Sequence, residues 1–390
     1  MNILIVNFDK CYNHGGVLQA WALQHVLLSM GHNVVKAEVP QASKYPSHKL
    51  RIIWHIVKRI RRKYIIGDKT LEIFKEIREN NLEYQPNYKV MQFIQKHLNT
   101  ITVTSMSELN EKDYDAVIVG SDQVWRKRYS AGQKLLTNES ACDNAFLAFT
   151  NGWNCKRISY AASIGVDYWE YTEEETKVLQ ELIRKFDAIS VREDSAVELL
   201  HRHLDPSLKI EHVLDPTLLI EKEDYIQLYQ EKKEQSHNNE ILVYILDQSE
   251  EKDNIVSYAQ ECTGLKTFRV NNPRYFDRYL PPKKRTQTSI TSWLRGFHDA
   301  EIVITDSFHA CVFSIIFEKP FFVILNEVRG TTRIHSLLKI FGLQSRIIHS
   351  AKDFHTQNND IDWKMIRKIK KEWQEKSLSF INNALNGHQV

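Results

Sequence analysis

The sequence predicts an α/β protein of two doubly wound halves, each built on a parallel sheet, with a cleft between them. Length is the first reason. The chain has 390 residues, and a norm of about 150 residues per domain favours two cores over one. The second reason is alternation: short β-rich runs without turn residues are separated by stretches with apolar residues at helical spacing, as in βαβ units. The third is an interruption. A charged interval over 221–240, including EKKEQSHNNE, breaks the alternation, which then starts afresh.

The elements follow in order. Residues 2–8 (NILIVNF) read as a buried strand, and Leu18, Trp21, Ala22, Val26 and Leu28 then recur at helical spacing until Gly31 stops the helix. Residues 33–39 form the next strand. Residues 115–119 (DAVIV), 157–161 (RISYA) and 188–191 (AISV) are unpunctuated, as strands buried on both faces should be. Helical patterns occupy 172–185 and 194–203. Beyond the interval, strands are expected at 241–246, 265–270, 301–305 and 321–325. Helices should fill about 251–262, 290–298 and 308–317. Asp360 and Asp362 are plausible caps for a long helix, with Ile366, Ile369, Trp373, Phe380 and Ala384 near one face. The division expected is therefore 1–225, 240–350, and a C-terminal helix over 360–386 packing across both halves.

Composition excludes several classes. Hydrophobic residues are 42% and charged residues 26%, which is globular rather than disordered or fibrous. A net charge of +3 over this length is no electrostatic footprint for nucleic acid. Cys11, Cys142, Cys155, Cys262 and Cys311 are odd in number, scattered, and form no C-x-x-C pair, which suits a reducing cytoplasm. The start lacks the charged region and cleavage site of a signal peptide. The most apolar late stretch is broken by Glu318, Lys319 and Pro320, short of the roughly 20 residues a bilayer span needs.

Ligands of open α/β sheets bind at strand carboxyl ends, so the chemistry should lie in the loops there. The loop over 9–16 (DKCYNHGG) ends in two glycines before a helix, which suits an anion or a closely approaching sugar. It is not G-x-G-x-x-G, and Cys11 with His14 lacks the second pair a metal site requires. In GSDQVW (120–125), Asp122 and Gln123 either bind sugar hydroxyls, or Ser121 or Asp122 caps a helix while Trp125 packs in the core. Arg192 in SVRED either clamps a carboxylate or phosphate or pairs locally with Glu193 or Asp194. The segment 303–316 (VITDSFHACVFSII) delivers Asp306, Ser307 and His309 to a helix N-terminus, where unpaired amides suit an anion and His309 suits proton transfer. Arg329 and Arg333 follow the next strand and could reach the same anion.

In these loops the sequence resembles the polysaccharide pyruvyl transferases. The resemblance is carried by NHGGVLQAWAL (13–23), YDAVIVGSDQVW (114–125), ISYAASIG (158–165), AISVREDS (188–195), VLDPTLL (213–219) and VITDSFHACVFSIIFEKPF (303–321). It implies a GT-B-like fold of two Rossmann-like domains, acceptor side first and donor side second. It also implies transfer of pyruvate from phosphoenolpyruvate, a co-substrate, onto two sugar hydroxyls as a cyclic ketal, with no resident cofactor and no metal. The acceptor implied is a glycan or lipid-linked oligosaccharide. On this reading His309 transfers the proton with Asp306 orienting it, and Arg192, Ser307, Arg329 and Arg333 hold the donor. Asn13, Gln19, Asp122, Gln123 and Trp125 face the acceptor. Many members carry Arg-x-His where this chain has Ser307, Phe308 and His309, so Arg329 or Arg333 is expected to supply the missing charge with Arg192. The alternatives are a nucleotide-sugar glycosyltransferase on the same scaffold and a non-catalytic carbohydrate-binding protein.

Residues 51–63 (RIIWHIVKRIRRK) set Ile52, Ile53, Ile56, Val57 and Ile60 opposite Arg51, Lys58, Arg59, Arg61 and Arg62. Two readings fit: a packed helix with a solvated basic face, or peripheral docking of residues 51–63 on the inner leaflet of the membrane.

Overall fold

A computed structural model describes residues 1–7, 12–39, 49–67, 73–74, 86–130, 144–230, 235–275, 277, 280–356 and 360–387. The first sheet comprises β1 (Asn2–Val6), β2 (Asn33–Glu38), β3 (Thr100–Thr102), β4 (Ala116–Val119), β5 (Lys156–Ala162), β6 (Ala188–Val191) and β7 (Ile210–His212). Their order is β3-β2-β1-β4-β5-β6-β7, parallel throughout. The second sheet comprises β8 (Glu240–Tyr244), β9 (Lys266–Phe268), β10 (Ile302–Thr305) and β11 (Phe321–Val323), in the parallel order β11-β10-β8-β9. Two doubly wound parallel sheets facing one cleft make a GT-B-like, Rossmann-like α/β fold.

The strands with continuous apolar runs form as expected, because helices cover both faces and every side chain of Ile3–Val6 and Ile302–Thr305 is buried. β3 (TIT) and β7 (IEH) have no such run, and neither is among the expected strands. They are edges, where half of each residue's surroundings is solvent or loop.

The helices are α1 (His14–Ser29), α2 (Lys49–Ile65), α3 (Tyr88–His97), α4 (Glu173–Ile183), α5 (Asp194–His203), α6 (Lys222–Gln230), α7 (Glu250–Thr263), α8 (Ile290–Asp299), α9 (Phe308–Ile316), α10 (Thr332–Phe341) and α11 (Trp363–Asn386). α1 and α9 are apolar on nearly every side and correspondingly buried, all nine residues of α9 included. Gly31, at φ 84°, takes the left-handed turn that follows α1.

The charged interval is not all loop. α6 occupies its first part, so residue 225, the expected end of the first half, falls inside a helix. Tyr225 is fully buried, with its ring 5.4 Å from Trp21 and 5.0 Å from Phe313, one from each half. The charges belong to the helix's outer face, and the two tyrosines Tyr225 and Tyr229 to its inner face.

α11 belongs to both halves. Asp362 caps its start by accepting from the Met365 amide at 3.0 Å, and Ser377 Oγ accepts from the Leu214 amide at 3.0 Å. Lys156 of β5 donates to the carbonyls of Ala384 (3.1 Å) and Leu385 (2.6 Å), favourably placed at the negative end of the helix dipole. Ile366, Phe380 and Ile381 are buried in a core that also holds Leu337 and Leu338 of α10. Among the described residues no helix is long and apolar enough to cross a membrane.

Candidate active site

Each sheet reverses its strand order once, between β1 and β4 in the first and between β8 and β10 in the second. Loops at such switch points bind ligands in open parallel sheets. Here all four line one cleft of about 470 Å³, contributing among others Asn13, Asp122, Leu246 and His309. That volume is typical of small-molecule sites.

Local structure places each group. Asn13 caps α1, its Oδ1 accepting from the Gly16 amide at 2.6 Å, and so leads the two glycines into the first turn. A Cβ added to Gly15 would lie 2.3 Å from His309 Cγ, so this glycine is what lets the ring approach α1 across the cleft. Asp122 sits at φ 81°, a left-handed conformation that Asp tolerates better than most residues. Ser307 occupies the N-cap position of α9 without a side-chain cap, so the helix's first-turn amides are not closed off by it. Gly330, at φ 84°, packs so tightly on the other half that a Cβ would lie 1.9 Å from the Gly165 carbonyl oxygen.

A buried charge cluster stands at this wall. Arg192 donates to Asp215 at 2.6 Å and contacts Asp122 at 3.3 Å, while Arg333 stands 3.7 Å from the same Asp122 oxygen. Both guanidinium groups lie over the Phe308 ring, at 4.4 and 5.6 Å from its centroid. Their Nε atoms have no hydrogen-bond partner among the described residues. Burial alone would raise the pKa of Asp122 and of Asp215. The neighbouring Arg192 and His309, with Arg333 as well at Asp122, outweigh it and keep both below the ordinary carboxylate range. Burial and then Arg192 press the Arg333 pKa down to about 10, a measure of how closely the two cations are held.

His309 completes the cluster. Its Nε2 lies 3.9 Å from Asp215 and makes no hydrogen bond. Burial pulls its pKa below the usual histidine value, with Asp215 and Asp122 opposing. The ring is therefore neutral near pH 7 and can accept a proton. His14, also on the cleft wall, is lowered to about 4 by burial, and rests its Nε2 3.0 Å from the Thr288 carbonyl.

Several expected residues line the cleft: Asn13, Asp122, Gln123, Ser307, His309 and Arg333, together with Asp306 and Arg329. The roles expected of the last two change. Asp306 accepts from the Leu246 (2.7 Å) and Asp247 (3.2 Å) amides, from Lys252 Nζ (2.7 Å) and from Asn326 (3.0 Å). It ties β10 to the loop after β8, and Asp215 is the carboxylate beside the His309 ring instead. Arg329 forms a two-pronged pair with Asp247 at 2.6 and 3.0 Å, so its charge is already matched. Arg192 lies one layer behind the cleft wall. Trp125 is fully buried, stacked on Phe146 and bonded to the Ala145 carbonyl at 2.9 Å, so the core reading holds for it. Gln19 is buried within α1, away from the lining. Cys11 lies outside the described residues, among which no three His, Cys, Asp or Glu side chains gather as metal ligands.

Two members of the cluster are absent from the expected set. Asp215 follows the edge strand β7 and accepts from the Thr217 amide (3.0 Å) and hydroxyl (2.6 Å), so by itself it reads as a turn cap. Its place in VLDPTLL, after a strand's carboxyl end, hinted at more. Gly15 was read only as one of two glycines opening a helix to a ligand, and its contact with a histidine of the other half has no local trace.

The polysaccharide pyruvyl transferase family matches the chain over residues 13–327. The chain belongs to this family. The transferase is thus an enzyme of polysaccharide biosynthesis, and the motifs that carried the resemblance lie within the matched span. No curated protein matches it. Among solved structures it is similar to UGT89C1 of Arabidopsis thaliana complexed with UDP-L-rhamnose (9% identity, 98% of each chain, TM-score 0.47). It is also similar to MnaA of S. aureus with UDP (13% identity, 99% of this chain and 97% of that one, TM-score 0.47). A third is sucrose-phosphate synthase of Thermosynechococcus elongatus (11% identity, 100% and 98%, TM-score 0.46). At these scores the likenesses add nothing to the topology of the two sheets.

Proposed function

We propose that the transferase moves a pyruvyl group from phosphoenolpyruvate onto two hydroxyls of a sugar in a cell-surface polysaccharide precursor. The observation that carries the reading is His309: a buried, neutral imidazole without a hydrogen-bond partner among the described residues, at an uncapped helix N-terminus beside the Arg192 and Arg333 charges. Arg333 and the first-turn amides of α9 bind the donor's phosphate and carboxylate. Arg192, anchored by Asp215, holds Phe308 and Asp122 in place from behind. The two arginines pair with Asp122 and Asp215, and the buried Glu193 carboxylate stands close to both, so the cluster carries no surplus positive charge. The incoming anion therefore raises the basicity of His309 at the moment it is needed.

The first sugar hydroxyl gives its proton to His309 Nε2, which delivers it to the donor's methylene carbon. The C=C π pair becomes the new C–H bond of the methyl group, and the hydroxyl oxygen bonds to the central carbon as it becomes cation-like. The second hydroxyl then attacks the same carbon, the bond to phosphate breaks, and the second proton leaves with hydrogen phosphate. The cleft lining also includes Tyr12, Tyr244, Asn271 and Gln287, aromatic and amide groups that suit a sugar.

Phosphate release from phosphoenolpyruvate is the test, run with galactosyl, glucosyl and N-acetylmannosaminyl acceptors. Release that depends on an acceptor, and falls about 10²–10⁴-fold in His309→Ala, supports the reading. Binding and turnover of a nucleotide sugar, with no use of phosphoenolpyruvate, overturns it in favour of a glycosyltransferase. Glycan binding without turnover of either donor leaves a carbohydrate-binding protein.

A further inference from the structure

α2 presents its apolar stripe to solvent. Ile53, Val57, Ile60 and Tyr64 recur at i, i+4, i+7 and i+11 and share one face, which a helix on a globular core would bury. They are 55%, 59%, 40% and 74% exposed. None of the described α2 side chains belongs to a buried core cluster. The reading of a packed helix is therefore corrected for this stripe, which lies open beside the exposed Lys58, Arg61 and Arg62, while Ile56 is half-buried. Trp54 is also exposed, with the Lys58 ammonium 5.0 Å from its ring, and Ile65 and Ile66 extend the surface.

Charge selects the occupant. Residues 49–67 contain seven Lys or Arg and no Asp or Glu. On the helical wheel Arg61 and Lys63 flank the stripe on either side, while Lys58 and Arg62 lie behind. A nucleic acid would meet basic residues at the centre of the contact, and a protein partner gives no reason for charge of a single sign. An apolar centre with a basic rim and a rim tryptophan is the pattern of a helix lying in a membrane interface. α2 also lies in the β2–β3 connection, which leaves the first sheet at the carboxyl edge, the edge that carries the cleft.

We propose that α2 seats the protein on an anionic lipid bilayer. Ile53, Val57, Ile60 and Tyr64 enter the boundary between headgroups and acyl chains, while Arg61 at the stripe's border and Lys58, reaching over Trp54, meet the headgroup phosphates. The proposal does not depend on the identity of the pyruvyl donor.

Co-sedimentation of the full chain with vesicles tests it. Phosphatidylcholine vesicles with about 30% phosphatidylglycerol should pellet the protein at low salt, pure phosphatidylcholine much less, and about 0.5 M NaCl should release it. Each of Lys58→Gln and Arg61→Gln should weaken binding about fivefold, and Arg62→Gln on the far face much less. Ile53→Ser combined with Val57→Ser should abolish it with no change in Tm, since both side chains are exposed. Failure to pellet with the anionic vesicles at low salt overturns the proposal. So does pelleting that the serine variant retains. A dimer seen by light scattering without lipid, dissociated by the serine variant and unable to bind vesicles, would assign the stripe to a second copy of the chain.

Discussion

Replacing Gly15 with alanine should injure catalysis at a distance in sequence of almost three hundred residues, because the added methyl meets His309. An ideal Cβ there lies 2.3 Å from His309 Cγ, 2.4 Å from Nδ1 and 2.6 Å from Cβ. Ordinary carbon contacts begin near ~3.5 Å, so about 1 Å of overlap must be relieved. Neither side yields easily: α1 and α9 are both buried, and His309 is only 8% exposed. Overpacking of this kind costs about 1–3 kcal/mol of stability. A displacement of about 1 Å in a proton-transferring ring costs on the order of 10²-fold in rate. The assay is acceptor-dependent phosphate release from phosphoenolpyruvate, paired with a thermal melt. The expectation is a fall of about 10²-fold in kcat with a Tm a few degrees lower. A Gly15→Ala enzyme with wild-type kcat and Tm would refute the argument, because it would mean that α1 and His309 are not in contact.

Further perturbations separate the roles in and around the cluster. Arg333→Gln should raise the apparent KM for phosphoenolpyruvate about tenfold or more with little change in Tm. Arg192→Gln should also lower Tm, since it strands the fully buried Asp215 without its cation, at about 3–5 kcal/mol. Arg329→Gln should affect donor affinity least, because that charge is spent on Asp247. Asp215→Asn should shift the acidic limb of the kcat/KM profile to lower pH: a base must be neutral, and Asp215 is one of the groups holding the His309 pKa up. An unmoved or upward-shifted limb would remove Asp215 from the account. His14 has a folded pKa of about 4 against about 6.5 unfolded, so the unfolded chain binds more protons between those values. Stability should be intact above pH 6.5 and about 2 kcal/mol lower at pH 5, measured by urea unfolding. His14→Phe should flatten that slope.

Much of this was legible in the sequence, and the exceptions have physical causes. The buried strands and the long helix announce themselves because burial on both faces, or on one stripe, leaves a periodic trace. β3 and β7 are edge strands of three residues each and leave none. His309 was legible because a strand, polar residues and an apolar helix follow one another around it. Asp306 shared that context, yet its partners, the Leu246 amide and Lys252, come from another strand loop that local spacing does not show. Trp125 followed a polar strand end but had the size and apolar surface to be drawn inward. α2 shows the reverse case: periodicity gave the helix and the composition of each face, but not which face meets solvent.

The path of α11 has a bearing on how the molecule is made. Residues 1–212 contain every strand of the first sheet, and those strands can pair as soon as they are synthesised. The ground that α11 covers stays bare, however: Tyr160, whose ring meets Phe380 at 6.3 Å, and the Leu214 amide, which awaits Ser377. Those partners lie in α11, which emerges only after the strands of both sheets. The first half is thus born with an open apolar flank, and its final locking step waits for the completion of the second. A nascent chain stalled before residue 363 would display that flank, so completion of the first half depends on α11 being made and docked.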